Sequence, residues 1–160
     1  MTENSYPVEL TAPDIEPYRT GNTGVEFVTT FDSGVAGPHV MINAVTHGNE
    51  ICGAIALDAL LKADVRPVQG KLTLGFINHM AFHTFDPQAP DLSRFVDEDF
   101  NRVWVEQRLD GDEDTVELRR ARELRPVFDS VDLLLDIHSM GTNSGALMIC
   151  NGLEKERTFS

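Results

Sequence analysis

The chain has 160 residues, enough for one domain with a sizeable core. Its formal charge of −13 and isoelectric point near 4.6 argue against nucleic acid as a partner, because phosphate binding requires a basic face. No apolar run approaches the roughly 20 residues of a membrane span, and residues 1–7 lack the parts of a signal peptide. We therefore expect a cytoplasmic protein with no membrane partner, whose Cys52 and Cys150 are reduced, buried thiols.

In chain order, residues 1–22 contain three prolines and are expected to be an irregular lead-in, with one domain over residues 23–160. Alternating and apolar runs predict strands over 25–31, 38–45 and 71–78. An apolar stripe predicts a helix from residue 51 to about residue 63, broad enough to lie against a sheet.

In the second half of the chain, predicted helices and strands continue to alternate. Residues 84–96 are predicted to be a long loop, and Thr115 is a plausible N-cap for a helix over 116–128. We interpret its cluster of Arg119, Arg120, Arg122 and Arg125 as a solvated face. Apolar runs predict strands over 131–137 and 145–150. The whole pattern predicts an α/β fold, with an open, largely parallel or mixed sheet and helices on both faces.

His47 and Glu50 lie three residues apart, between the predicted strand 38–45 and the helix that follows. Ligands bind at this edge of open α/β sheets, and catalytic zinc commonly uses two His and one Glu. The alternative is a solvated His beside a Glu whose negative charge interacts favourably with the dipole at the start of the helix. Gly48 permits the sharp turn between them.

A third ligand is available in His138, which follows the predicted strand 131–137 as His47 follows its own strand. If the two strands are neighbours, both imidazoles open onto one crevice. The spacing of His79 and His83 could also suit a second metal, although both lie in a predicted loop.

Three segments in order, His47-Gly48-Asn49-Glu50, Asp99-Phe100-Asn101-Arg102 and Asp136-Ile137-His138-Ser139, resemble the zinc carboxypeptidase-like superfamily. Within it, the chain is most similar to the succinylglutamate desuccinylase/aspartoacylase branch. The short interval between Glu50 and His138 favours these deacylases over true carboxypeptidases.

The resemblance implies one Zn²⁺ per chain, held by His47, Glu50 and His138. It implies that Asn101 and Arg102 bind the substrate carboxylate, which a planar guanidinium can grip with two hydrogen bonds. Asp99 matches a carboxylate that orients a zinc-bound imidazole; otherwise it is one more surface acid. Arg94 resembles an arginine found upstream of the second motif, and a structural salt bridge is equally compatible with its position.

The chain also departs from the family pattern. Relatives often have Asn-Pro-Arg-Ala after the third strand, where this chain has Asn78-His79-Met80-Ala81; His79 or His83 would have to replace part of that arginine's function. The family's general-base Glu is expected beyond residue 160. The chain is thus either an N-terminal portion or a truncated relative.

The sequence predicts the zinc-binding part of a deacylase that cleaves the amide of an N-acyl amino acid or a similar small carboxylated amide. The alternatives are a zinc carboxypeptidase acting on peptides and a catalytically inactive zinc-binding module. The apolar edge of the last predicted strand, 145–150, is expected to favour self-association into a homo-oligomer.

Overall fold

The computed structural model describes residues 7–140 and 145–150, and its centre is a four-stranded mixed sheet. The strands are β1 (Val28–Asp32), β2 (His39–Ala44), β3 (Lys71–Phe76) and β4 (Leu133–Ile137), in the spatial order β1-β3-β2-β4. Strand β2 runs parallel to both β3 and β4, whereas β1 is antiparallel to β3. The predicted α/β fold with an open, mixed sheet is confirmed.

Two long helices cover the two faces of this sheet. Neighbouring side chains of a strand point to opposite faces, so Met41 and Ile42 of β2 belong to different clusters of the core. Helix α1 (Ile51–Lys62) packs on the face of Ile42, and α4 (Val116–Phe128) packs on the face of Met41. The short helices α2 (His79–Phe82) and α3 (Glu106–Leu109) lie in the connections.

Three 3-10 turns complete the described elements, at Glu16–Tyr18, Pro90–Ser93 and Phe100–Arg102. The segment before β1 packs against the body of the domain: Ile15 is buried in the core. The Tyr18 hydroxyl donates a 2.7 Å hydrogen bond to Asp58 of α1. None of the helices in the described ranges is long and apolar enough to cross a membrane.

The prediction of helix α4 is confirmed, including its start. The Thr115 hydroxyl accepts a 3.1 Å hydrogen bond from the backbone N–H of Leu118, which is the N-cap contact expected of this residue. The interpretation of its four arginines as a solvated face is wrong for Arg120, whose side chain is fully buried.

The prediction of a last strand over residues 145–150 is also wrong. These residues are exposed and pair with none of the strands in the described part of the chain. Their apolar run was compatible with a strand, but among the described residues β4 is the edge of the sheet, and its Leu134 and Leu135 are 52% and 43% exposed. The apolar strands are therefore not all buried on both faces. Cys52 is a half-buried free thiol, whereas Cys150 is exposed, so the expectation of a buried thiol is wrong for Cys150.

Candidate metal centre

The first part of the site is the turn between β2 and α1, at the carboxyl ends of the parallel strands. Val45 opens this turn with a φ of 56°, a left-handed conformation that is rare for a β-branched residue. His47 and Glu50 follow it, and both are buried. The Nδ1 atom of His47 lies 2.7 Å from Oε1 of Glu50. Strained backbone of this kind concentrates at functional sites.

Gly48 is required at the centre of this turn by a close approach of other segments. A Cβ on Gly48 would overlap backbone atoms of Ala81 in α2 and of Ser93 in the 3-10 turn. Its N–H donates a 3.1 Å hydrogen bond to the carbonyl of Arg94. The glycine thus lets three segments meet beside the candidate ligands.

The second part of the site comes from β4, which lies beside β2 as the sequence hypothesis required. His138 follows the end of β4, and its Nδ1 lies 2.7 Å from Oε2 of Glu50. The ring centroids of His47 and His138 are 5.4 Å apart. One ligand atom from each of His47, Glu50 and His138 lies within 4.8 Å of the others, which forms a group that could hold a metal ion.

The donor set fits a catalytic type of zinc site, with two imidazole nitrogens and one carboxylate. Burial alone would raise the pKa of Glu50, but its hydrogen bonds to His138 and His47 outweigh burial and lower the pKa to about 2. The carboxyl group is therefore ionised at neutral pH, as a metal ligand must be. Hydrogen bonds to Asp136 and to Glu50 raise the pKa of His138 to about 10 in the metal-free chain.

Each imidazole also contacts a carboxylate on its far side. Nε2 of His47 lies 3.2 Å from Oδ1 of Asp99, and Nε2 of His138 lies 2.8 Å from Oδ2 of Asp136. Asp136 is held in turn by the Thr46 hydroxyl, which lies 2.8 and 2.9 Å from its two carboxylate oxygens. Carboxylates in this position fix the ring and raise its basicity as a ligand.

Sequence reasoning did not assign Asp136, although one signal was present. Asp136 and His138 are two residues apart at the end of a strand, and residues at this spacing point to the same side. Asp99, which the family resemblance places behind a zinc-bound imidazole, lies beside Nε2 of His47 in the structure.

Arg94 contacts two carboxylates of the site and the imidazole of His47. Its guanidinium lies 3.2 Å from Oδ2 of Asp99, 3.0 Å from Nε2 of His47 and 3.6 Å from Oε1 of Glu50. The side chain is 40% exposed. Arg94 therefore forms a salt bridge within the site.

Asn101 and Arg102 lie in the 3-10 turn that follows Asp99, and both side chains are exposed. The Asp99 carboxylate accepts a 2.9 Å hydrogen bond from the N–H of Asn101 and so caps this turn. The Arg102 guanidinium donates a hydrogen bond to the carbonyl of Asn101, at 3.3 Å.

His79 and His83 form a separate cluster with Phe27. The imidazole of His79 packs against the ring of Phe27, with the ring centroids 4.4 Å apart and the planes tilted by 33°. Burial lowers the pKa of His79 to about 3. His83 pairs instead with Glu16, at 3.1 Å. In the described part of the chain, the group of His47, Glu50 and His138 is the one set of three or more metal-type ligands that comes together. The hypothesis of a second metal at His79 and His83 gains no support.

The surface cavities do not coincide with this centre. A cavity of about 420 Å³ is lined by residues that include Val25, His79, Arg119 and Glu123. A second, of about 350 Å³, includes Thr30, His39 and Ser130. Ligand sites usually lie in the largest apolar cavity, but here the convergent donor chemistry identifies the site.

The fold and the site together define an α/β protein with a His-Glu-His group that could hold a metal ion, at the carboxyl ends of two neighbouring parallel strands. The pattern of the succinylglutamate desuccinylase/aspartoacylase catalytic domain matches residues 36–160. The chain therefore belongs to the succinylglutamate desuccinylase/aspartoacylase family, whose members are zinc deacylases. The group of His47, Glu50 and His138 is typical of the family's zinc site.

Individual relatives agree with this assignment. The chain is 28% identical over 129 residues to an aspartoacylase of Xenopus tropicalis, which covers 75% of this chain and 40% of that protein. An aspartoacylase family protein from Mesorhizobium loti superposes with a TM-score of 0.56 at 25% identity, over 71% of this chain and 34% of that one. A succinylglutamate desuccinylase from a Silicibacter strain gives 0.53 at 25% identity, over 70% and 32%. The chain thus spans well under half the length of these relatives.

Proposed function

We propose that this chain forms the zinc-binding part of a deacylase that cleaves the amide bond of an N-acyl amino acid or a similar small carboxylated amide. The observation that carries the proposal is the convergence of His47, Glu50 and His138 on one point, with a carboxylate behind each imidazole. The zinc enzymes of the family and the relatives named above support the choice of metal and reaction.

His47, Glu50 and His138 would hold one zinc ion. Zinc supplies Lewis-acid polarisation of the amide carbonyl when it is bound. With zinc bound, Asp99 and Asp136 would accept the proton of each Nε2, which leaves each Nδ1 free to coordinate. The Arg94 guanidinium would then donate to the Asp99 carboxylate and not to Nε2 of His47. The Thr46 hydroxyl donates to the Asp136 carboxylate and so helps to hold it in place.

Asn101 and Arg102 would bind the free carboxylate of the substrate. Both are exposed, and they lie two and three residues after Asp99, which contacts the His47 imidazole. An anchored carboxylate restricts the motion of the amide relative to the metal centre, and such orientation lowers the barrier. The salt bridge of Arg94 with Asp99 and Glu50 offsets part of the negative charge of these carboxylates.

Removal of the ligands tests the metal centre. We expect the purified chain to bind about one zinc ion, in line with three-ligand catalytic sites, and we expect His47→Ala, Glu50→Ala and His138→Ala each to lose it. Elemental analysis after dialysis gives the stoichiometry, and circular dichroism checks that each variant is folded. His83→Ala, a histidine outside the site, is the control. Zinc retained in all three ligand variants would refute the assignment.

The chemistry is tested on the whole protein, with N-acetyl and N-succinyl amino acids compared against short peptides. Release of the free amino acid from the acyl substrates supports a deacylase, whereas release of a C-terminal residue from peptides would indicate a carboxypeptidase instead. Zinc binding without either activity would indicate a catalytically inactive metal-binding module, in which the metal stabilises the fold.

A further inference from the structure

Glu117, in the first turn of α4, is buried at the centre of a hydrogen-bond network that the site description does not use. It is 0% exposed. Oε1 accepts a 2.7 Å hydrogen bond from the N–H of Val96, and Oε2 accepts from Asp97 at 3.0 Å and from Glu98 at 3.3 Å. Charge-assisted bonds to backbone N–H groups are strong, so one side chain fixes three consecutive residues of the loop.

This loop segment leads directly to the site. Asp99 follows Glu98, and its carboxylate contacts Nε2 of His47. The 3-10 turn of Asn101 and Arg102 starts at the same point. The position of residues 96–98 therefore sets the position of Asp99 and of the turn that carries the exposed Arg102.

Glu117 is also linked, through Asn78, to the turn that carries His47. The side-chain amide of Asn78 donates to Oε1 of Glu117, at 3.4 Å. The backbone N–H of Asn78 donates in turn to the carbonyl of Val45, at 3.2 Å, two residues before His47. Glu117 thus links the segment that supplies Asp99 to the strand end that supplies His47.

Reciprocal contacts tie the loop to the start of α4. The Asp97 carboxylate accepts a 2.7 Å hydrogen bond from the N–H of Val116, and the Thr115 hydroxyl donates to Glu98 at 2.6 Å. The start of α4 therefore holds residues 96–98 both through their backbone N–H groups and through the side chains of Asp97 and Glu98.

We propose that Glu117 is a positioning residue for the metal centre. It holds residues 96–98 so that the Asp99 carboxylate meets the outer nitrogen of His47, and it fixes the starting point of the turn that presents Arg102. The inference rests on the proposed function, because it assumes that His47 binds the metal. A carboxylate behind a ligand imidazole acts only over hydrogen-bond distance, so small displacements of the loop weaken its effect.

The test is the zinc affinity of Glu117→Gln, measured by competition with a chromogenic chelator. A glutamine keeps the shape but offers one oxygen, and its NH₂ group faces backbone donors. We expect affinity to fall by about tenfold or more, as for loss of an outer-shell partner. Glu106→Gln, which removes an exposed carboxylate in the first turn of α3, is the matched control and is expected to leave affinity unchanged.

A double-mutant cycle distinguishes positioning from general weakening of the fold. If Glu117 acts through Asp99, its substitution in an Asp99→Asn background is expected to change zinc affinity by less than about twofold, because coupled residues are non-additive. Equal losses in both backgrounds, or an unchanged affinity in Glu117→Gln alone, would overturn the proposal. Absence of zinc binding by the wild-type chain would instead refute the proposed function.

Two further measurements cover the case in which Glu117→Gln does not fold. Asp97→Ala loosens the same segment from an exposed position and is expected to lower zinc affinity in the same, Asp99-dependent way. In the wild-type chain, the amides of Val96, Asp97 and Glu98 are expected to exchange slowly with solvent. Rapid exchange of all three, or no effect of Asp97→Ala, would contradict the proposal.

Discussion

Each of the two candidate ligand imidazoles is held by a carboxylate, and the two carboxylates differ in how easily they can be recognised from the sequence. Asp99 could be assigned before the structure because it belongs to a motif with Asn101 and Arg102. Asp136 was part of a motif too, but only the pairing of β4 with β2 brings His138 to Glu50 and leaves Asp136 behind its ring. The contact between His138 and Glu50 joins the ends of two neighbouring strands and cannot be deduced from one strand's sequence, whereas the contact between Asp136 and His138 lies within one strand end.

We expect Asp136→Asn and Asp99→Asn to keep the fold and to weaken zinc binding by roughly 10–100-fold each. The reason is that an amide accepts a weaker hydrogen bond than a carboxylate and so orients the imidazole less firmly. Chelator competition measures the dissociation constants. Asp112→Asn, in the exposed turn before α4, is the control. Unchanged zinc affinity in both site variants would show that the two carboxylates do not support zinc binding.

Gly48 was predicted to permit a sharp turn, and the structure adds a stronger requirement. We expect Gly48→Ala to lower the free energy of unfolding by about 1–3 kcal/mol, the usual range for overpacking, because the new Cβ overlaps backbone atoms rather than flexible side chains. Zinc affinity is expected to fall as well, since His47 and Glu50 flank the glycine. Urea denaturation and chelator titration measure the two effects. Gly145→Ala, where a Cβ would meet open space, is the control; equal behaviour of the two variants would contradict the argument.

At the scale of elements, the helix α4 illustrates what periodicity predicts and what it leaves out. Its bounds and its N-cap followed from the sequence, because capping and the apolar stripe are local properties. The burial of Arg120 did not, because it depends on acceptors elsewhere in the chain. Its guanidinium donates to the carbonyls of Ile77 at 2.7 Å, Glu26 at 2.8 Å and Phe76 at 3.4 Å. These carbonyls lie just before β1 and at the end of β3.

We expect Arg120→Met to lower the free energy of unfolding by about 3 kcal/mol, because buried carbonyls lose their donors while the methionine keeps much of the packing. Arg119→Met, one residue earlier and exposed, is expected to change it by less than about 0.5 kcal/mol. Urea denaturation of both variants provides the comparison. Similar losses in the two would mean that the buried hydrogen bonds contribute little.

The strands show the same division between local and long-range information. The apolar runs that became β2, β3 and β4 were recognisable, but the equally apolar run at 145–150 forms no strand in the structure. A strand requires a partner, and β4 is the edge of the described sheet. The expectation that residues 145–150 provide a strand edge for self-association therefore loses its basis.

At the scale of the whole molecule, the described residues bring together a complete set of metal ligands but a partial set of catalytic groups. The three carboxylates that contact the centre are already engaged: Glu50 lies between two imidazoles, and Asp99 and Asp136 hold their outer nitrogens. A general base needs a carboxylate that is free to take a proton. The relatives are about two and a half to three times longer than the part that this chain matches, which leaves room in them for such a group.

We therefore expect the polypeptide of residues 1–160 to bind zinc but to hydrolyse N-acetyl and N-succinyl amino acids slowly. Loss of the group that accepts and returns the proton typically reduces the rate by about 10²–10⁴-fold. The exposed positions of Asn101, Arg102 and His138 also leave the substrate contacts open to water, which weakens them. Release of free amino acid, measured with an amine-reactive dye, gives the rate, and the His47→Ala variant gives the background. Turnover at the roughly 1–10³ s⁻¹ usual for enzymes would show that a base lies among the 160 residues, and the engaged carboxylates would then need to be reassigned.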